Sequence, residues 1–125
     1  MTPCIVLRDG HGVAMAASAS GGGRIISGIA QVVMRVLWMG QTVKQASDWG
    51  RLHHQFVPGT LYAESTVSRE VVDTLKFFGH KTEVEDRSPS DVMAIARTFG
   101  EASSGDRIYA TYDFRRQTNN FVDGD

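Results

Sequence analysis

Gly21, Gly22 and Gly23 stand in a row, in the stretch "SASGGGRIISG", directly before a long apolar run. Each glycine gives up more chain entropy on folding than any other residue, so such a run marks a tight turn, a close backbone approach or a flexible linker. The strong helix signal that follows argues against the linker. A turn of small residues leading into a helix N-terminus presents N–H groups without intrahelical partners at the positive end of the helix dipole. That combination favours a negative charge, either a bound anion or an oxyanion formed during reaction. No Gly-Lys-Ser/Thr follows, so this is not a Walker loop, and the spacing is not G-x-G-x-x-G. From the residues alone, a purely structural turn and an anion or oxyanion site both stay open.

The other candidates have plainer readings. Adjacent His53 and His54 invite a metal. Neighbouring residues on a strand or loop point different ways, however, and no carboxylate or cysteine stands nearby at a ligand spacing, so no metal site is expected. Cys4 lies in an apolar strand beside Ile5 and Val6, where a cysteine behaves as a small hydrophobe. Asp113 with Arg115 and Arg116 reads as solvated surface charge rather than a binding cluster. Thr2, the residue that loss of Met1 would expose, is followed by Pro3 and has no base but its own amine, so it is not expected to act as a nucleophile.

The elements that must position these residues follow from the 125-residue chain, long enough for one domain with a core. Hydrophobic residues make up 42% and charged residues 22%, and a net charge of −1 gives no electrostatic case for nucleic acid or an anionic membrane. A single cysteine forbids an internal disulfide. No segment has the pattern of a targeting signal, and Gln31 and Arg35 interrupt the longest apolar stretch, so no span is expected. "CIVL" and "VAMAA" flank "RDGHG" and read as a hairpin. Arg24, Ser27, Gln31 and Arg35 recur at helical spacing from Arg24 to Met39, and so narrow a polar stripe predicts a helix covered on most of its surface, with Gly40 as its stop. Ser68 is placed to cap a second helix with Glu70 in its first turn, core positions Val71, Val72, Leu75 and Phe78, and Gly79 as its stop. "HKTEVE", "DVMAIAR" and "RIYATYD" read as strands, and residues 117–125 as a frayed end. The expected class is α+β with largely antiparallel strands and two principal helices.

Several stretches together resemble the γ-glutamyltransferases, also called γ-glutamyl transpeptidases or glutathione hydrolases. "MTPCIVL" is similar to that family's Met-x-Pro-x-Ile-Val strand, "SGGGRII" to its Gly-Gly-[Ser/Thr]-Arg-Ile segment, and "GRLHHQFVP" to its Pro-Arg-x-His-[His/Asn]-Gln-x-x-Pro segment. "GHKTEVE" and "ATYDFRR" match as well, the latter resembling the family's Asp-[Pro/Phe]-Arg-[Arg/Lys] ending. The resemblance runs over nearly the whole chain and lies in the C-terminal portion of the family's small subunit. Gly50 stands where the family has Pro, Tyr112 stands near its Ser or Ala, and "QTNNFVDGD" lacks its glycine-rich tail.

The resemblance implies part of an N-terminal-nucleophile hydrolase αββα sandwich, with residues 1–125 a single partial domain and a large subunit of the same precursor as partner. It implies acyl transfer of the γ-glutamyl group of glutathione or another γ-glutamyl compound to water, an amino acid or a peptide, with no cofactor. By residue match, Gly21 and Gly22 are the family's oxyanion-hole glycines, while Gly23 replaces its Ser or Thr. The family's nucleophile, a threonine in a Thr-Thr-His context, has no counterpart in this sequence, so the chain alone is expected to be inactive. By family, the site of action is the outer side of the cell surface. The alternatives are a non-catalytic light-chain-like relative and, against the run of matches, an unrelated anion-binding module.

Overall fold

A computed structural model describes residues 2–98 and 105–116. Ten elements follow one another: β1 (Thr2–Arg8), β2 (Gly12–Ser20), α1 (Arg24–Leu37), α2 (Val43–Asp48), β3 (Leu52–His53), β4 (Thr60–Glu64), α3 (Arg69–Phe77), β5 (Lys81–Glu85), β6 (Asp91–Thr98) and β7 (Arg107–Thr111). They build two sheets, one in the order β1-β2-β6-β7 and one in the order β3-β4-β5. All strand pairs are antiparallel except β4 with β5, so the α+β class with mostly antiparallel strands holds.

The larger sheet starts with the expected hairpin, whose turn places Gly10 at φ +73° and Gly12 at φ +78°, values an L side chain rarely adopts. Its inner face is rich in alanine: Ala17 and Ala19 on β2 and Ala94 and Ala96 on β6 are all buried. Such small side chains leave room for α1 to lie close against the strands. Gly28 is part of that fit, since a Cβ there would stand 3.1 Å from Val92 Cγ2 and 3.3 Å from Ser90 Oγ. Met15, Val32 and Val92 fill the centre of this core. Each such side chain contributes about 1.5–3 kcal/mol by leaving water.

In the smaller sheet, β4 and β5 pair in parallel because α3 carries the chain back to the starting edge. Ser68 Oγ accepts from Val71 N at 3.4 Å and caps α3 as its sequence predicts, and Gly79 at φ +91° follows its end. Leu61, Ala63 and Val72 form a separate small core with Leu75 packed on it.

The structure differs from the sequence reading in several places. Helix α1 ends at Leu37 rather than Met39; Ile29 and Val32 are buried and Ile25, Val33 and Val36 pack on the core, while Ile26 stands 78% exposed among the described residues. Val71 and Phe78, expected in the core, are exposed, because only the Val72 and Leu75 side of α3 meets the sheet. Strand β7 stops at Thr111, and Tyr112 and Asp113 lie beyond it. Helix α2 and strands β3 and β4 were not anticipated, although Thr42 and Gln45 form a complete capping box, a sequence signal for the start of α2. The expected fraying of 117–125 lies outside the described residues.

Candidate functional site

Gly21 and Gly22 occupy the link from β2 to α1 with φ of +122° and +60°. At Gly21 the reason is close approach: a Cβ would fall 2.7 Å from Ser90 Cα and Cβ and 2.9 Å from Pro89 O. At Gly22 it is conformation alone, since a Cβ would meet nothing within 4 Å. Gly23 takes the N-cap position of α1 without any side-chain cap, and no acidic residue stands in the first turn. The carbonyls of Gly21 and Gly22 accept from Arg24 N and Ile25 N, both at 3.2 Å, so the turn winds directly into the helix. No side-chain cap and no carboxylate offsets the positive end of the helix dipole at this head, an arrangement that favours negative charge.

The surroundings of this turn are polar and ordered. Ser90 Oγ donates to Ser20 O at 2.8 Å, and Ser20 Oγ donates to Asp91 Oδ1. Ser27, on the first turn of α1, is hydrogen-bonded to His53 Nδ1 at 2.8 Å, and His53 Nε2 lies 3.3 Å from Gln55 Oε1. A Cβ at residue 23 would fall 2.6 Å from that Gln55 oxygen. Arg24 pairs with Glu85 at 2.5 Å while its guanidinium lies over the Tyr62 ring. Phe56, the residue after Gln55, holds φ at +71°, a costly conformation for an aromatic residue. At the same end of the larger sheet, Thr2 pairs with Ala19, two residues before the glycine turn.

Behind the turn lies a cluster that the sequence reading placed on the surface. Asp113 and Arg115 are buried, not solvated, and join Arg51 and Glu64 in a four-charge group with no net charge. Arg51 donates through Nη2 to Asp113 Oδ2 at 2.5 Å and through Nη1 to Ser90 O at 2.7 Å. Arg115 donates to Glu64 through Nε and Nη2, to Asp113 Oδ1 at 3.0 Å, and to the carbonyls of Ser47 and Trp49. Burial would push the Glu64 carboxyl up, but its bonds from Arg115 and from the Ser88 and Arg51 N–H groups outweigh that and hold it below the usual range. Burial, with Arg115 nearby, lowers Arg51; for Arg115 itself burial is outweighed by Glu64 and Asp113, which raise it. Both guanidiniums stay charged. Arg116, the third member of the sequence cluster, is exposed and only 3.5 Å from Asp91 Oδ2.

Of the remaining candidates, Cys4 packs against the main core as a half-buried strand residue. His53 is buried and His54 exposed, as expected of neighbours that point different ways. Among the described residues, no group of three or more His, Cys, Asp or Glu side chains is placed to hold a metal. No helix among them is long and apolar enough to cross a membrane. The sequence reading missed Ser90, Gln55 and the burial of Arg51 and Glu64. For the charged pair, no local signal exists, because their partners stand far along the chain.

The family profile described as Gamma-glutamyltranspeptidase matches residues 1–122. Scoloptoxin SSD14 of Scolopendra dehaani is 41% identical over 114 residues, covering 91% of this chain and 19% of that protein. Glutathione hydrolase proenzyme 1 of Schizosaccharomyces pombe is 30% identical over 120 residues, covering 92% of this chain and 18% of that protein. The chain thus spans about a fifth of the length of these two relatives. A crystal structure of a mutant γ-glutamyltranspeptidase from Helicobacter pylori superposes with a TM-score of 0.82 at 28% identity, over 93% of this chain and 61% of that one.

Proposed function

The chain belongs to the gamma-glutamyltranspeptidase family of glutathione hydrolases, and from that premise we propose that it is the C-terminal part of a small subunit whose Gly21 and Gly22 form the oxyanion hole. The observation that carries this reading is the turn itself. Two consecutive residues with positive φ deliver backbone N–H groups at the uncapped head of α1, at the same sheet end as the start of β1.

In the proposed reaction, a threonine hydroxyl supplied from outside this sequence attacks the γ-carbonyl of glutathione or another γ-glutamyl compound. The C–O bond forms, the carbonyl oxygen becomes an oxyanion, and the Gly21 and Gly22 N–H groups donate to it. Donors already aimed at the developing charge stabilise the transition state more than the substrate. Collapse breaks the C–N bond and expels the amine, which takes up the proton given up by the threonine hydroxyl through a base outside this sequence, leaving a γ-glutamyl-enzyme ester that water or an acceptor amine then resolves. The chain supplies neither nucleophile nor base, so it is inactive alone. Its partner is the large subunit of the same precursor, and the outer cell surface is its place of action.

The large-subunit reading draws support from the exposed face of the larger sheet. Ile5, Ile95 and Ile108 stand on the side away from α1 and are exposed, where an αββα sandwich would bring a second sheet.

The test uses an enzyme completed with the family's small-subunit start and a large subunit. Replacing the Gly22 amide by an ester deletes the N–H while leaving φ at +60°, which a proline, fixed near −65°, cannot do. Turnover of a γ-glutamyl anilide should fall on the order of a hundredfold. Near-normal kcat in the ester variant would reduce Gly21 and Gly22 to a turn before a helix.

A further inference from the structure

We propose that Ser90 is a positioning residue for the glycine turn, holding Gly21 and Gly22 in register through its hydroxyl while the buried charge cluster holds Ser90. This rests on the oxyanion reading for its catalytic consequence, though the contact itself does not.

Ser90 is 1% exposed and faces the turn on two sides. Its Cα and Cβ occupy the space that a side chain at residue 21 would need, and its Oγ donates to Ser20 O at 2.8 Å, the last carbonyl before the glycines. Glycine has no side chain with which to fix its own torsions, so three in a row depend on neighbouring groups to select one conformation. The Ser90 hydroxyl and backbone are those neighbours.

Ser90 is in turn fixed from behind. Along the entry to β6, alternate residues face the cluster, as the two-residue period of an extended chain requires. Ser88 N donates to Glu64 Oε1 at 2.6 Å, Ser90 O accepts from Arg51 Nη1 at 2.7 Å, and Val92 N donates to Asp113 Oδ2 at 2.7 Å. Three successive anchors of one segment to a single charge group make a rigid support. Gly28 of α1 completes the packing, its missing Cβ leaving room for Ser90 Oγ at 3.3 Å. The chain of contacts thus runs from Asp113 through Arg51 and Ser90 to the glycine turn.

Ser90→Ala removes the hydroxyl but keeps the carbonyl that Arg51 uses. Amide hydrogen exchange in the completed enzyme should quicken about tenfold at Arg24 and Ile25, whose N–H groups bond the Gly21 and Gly22 carbonyls, with the amides of α3 unchanged. In the completed enzyme kcat should fall about tenfold with KM nearly constant, since a displaced donor weakens transition-state rather than ground-state binding. Ser90→Cys, similar in volume with a weaker donor, should fall between the two. Ser88→Ala is the control, because the backbone N–H of Ser88 makes the bond to Glu64. Unchanged exchange at Arg24 and Ile25 in Ser90→Ala, or equal quickening in α3, overturns the proposal. Faster local exchange with unchanged kcat upholds the positioning contact and sinks the oxyanion reading instead.

Discussion

Arg51 and Asp113, 62 positions apart in the chain, meet as a buried ion pair at 2.5 Å. The pair joins the approach to β3 with the segment that follows β7, and through Arg115 it reaches Glu64 at the end of β4. Removing four charges from water costs more than surface pairing returns, so the cluster is weak evidence for bulk stability. What it contributes is register: Arg51, Glu64 and Arg115 are each also bonded to backbone groups of segments that no strand ladder holds there.

Breaking one member should therefore be severe. Asp113→Asn leaves Arg51 and Arg115 short of a countercharge and should lower unfolding stability by about 3–5 kcal/mol. Arg116→Ala, at the exposed neighbour, should change it by less than about 0.5 kcal/mol. Denaturant unfolding of both variants decides it, and a small loss for Asp113→Asn would mean that the cluster relaxes or hydrates.

Acid should weaken the same cluster through Glu64. Its folded-state pKa lies below the ordinary value, so the stability it contributes is fully present above the usual glutamate range, about 4.3, and is lost as pH falls through the lowered value. Melting temperature followed from pH 7 downward should drop on this acid limb. Glu64→Gln should start lower and show a flatter limb; an equally steep one would assign the acid loss to other carboxylates.

The glycine turn separates steric from conformational demands. Gly21→Ala must displace Ser90 and Pro89 backbone and should be strongly destabilising, whereas Gly22→Ala meets open space and costs only its φ of +60°, about 1–2 kcal/mol. Gly23→Ser has ordinary helical φ, and its Cβ meets only the movable end of Gln55. It should be the mildest of the three, and adding Gln55→Ala should recover part of its cost. Thermal melts of the series check the order; Gly21→Ala matching Gly22→Ala would remove the close contact with residue 90.

Where sequence and structure agree, the signals were local. The hairpin turn at Gly10 and Gly12, the Ser68 cap of α3 and the alternation of β6 each depend on residues a few positions apart. The glycine run was legible for the same reason, and Thr42 with Gln45 would have revealed α2. The charge cluster was not legible, because Asp113 and Arg115 look like surface charge until Arg51 and Glu64 arrive from 62 and 51 positions away. Strand β4 escaped because its burial on both faces gives no two-residue alternation. Val71 and Phe78 on α3, and Ile26 alone on the otherwise covered apolar side of α1, misled in the opposite sense, since periodicity reports an apolar face but not what covers it.

That uncovered surface leads to the last prediction. Among the described residues Trp38, Phe77 and Phe78 are all more than 70% exposed, while Met34 is half-buried. Ile5, Ile95 and Ile108 add an apolar area on the open side of the larger sheet. Exposed apolar surface of this kind drives association in water. The isolated chain should therefore elute as oligomers or aggregates at micromolar concentration, with light scattering giving masses above 13.7 kDa. Ile95→Lys with Ile108→Lys, both at exposed positions, should shift the population toward monomer without lowering the melting temperature much, because neither side chain is in the core. A monodisperse monomer with a sharp thermal transition in the unmodified chain would show that the surface needs no cover, and would favour a self-sufficient relative over a subunit fragment.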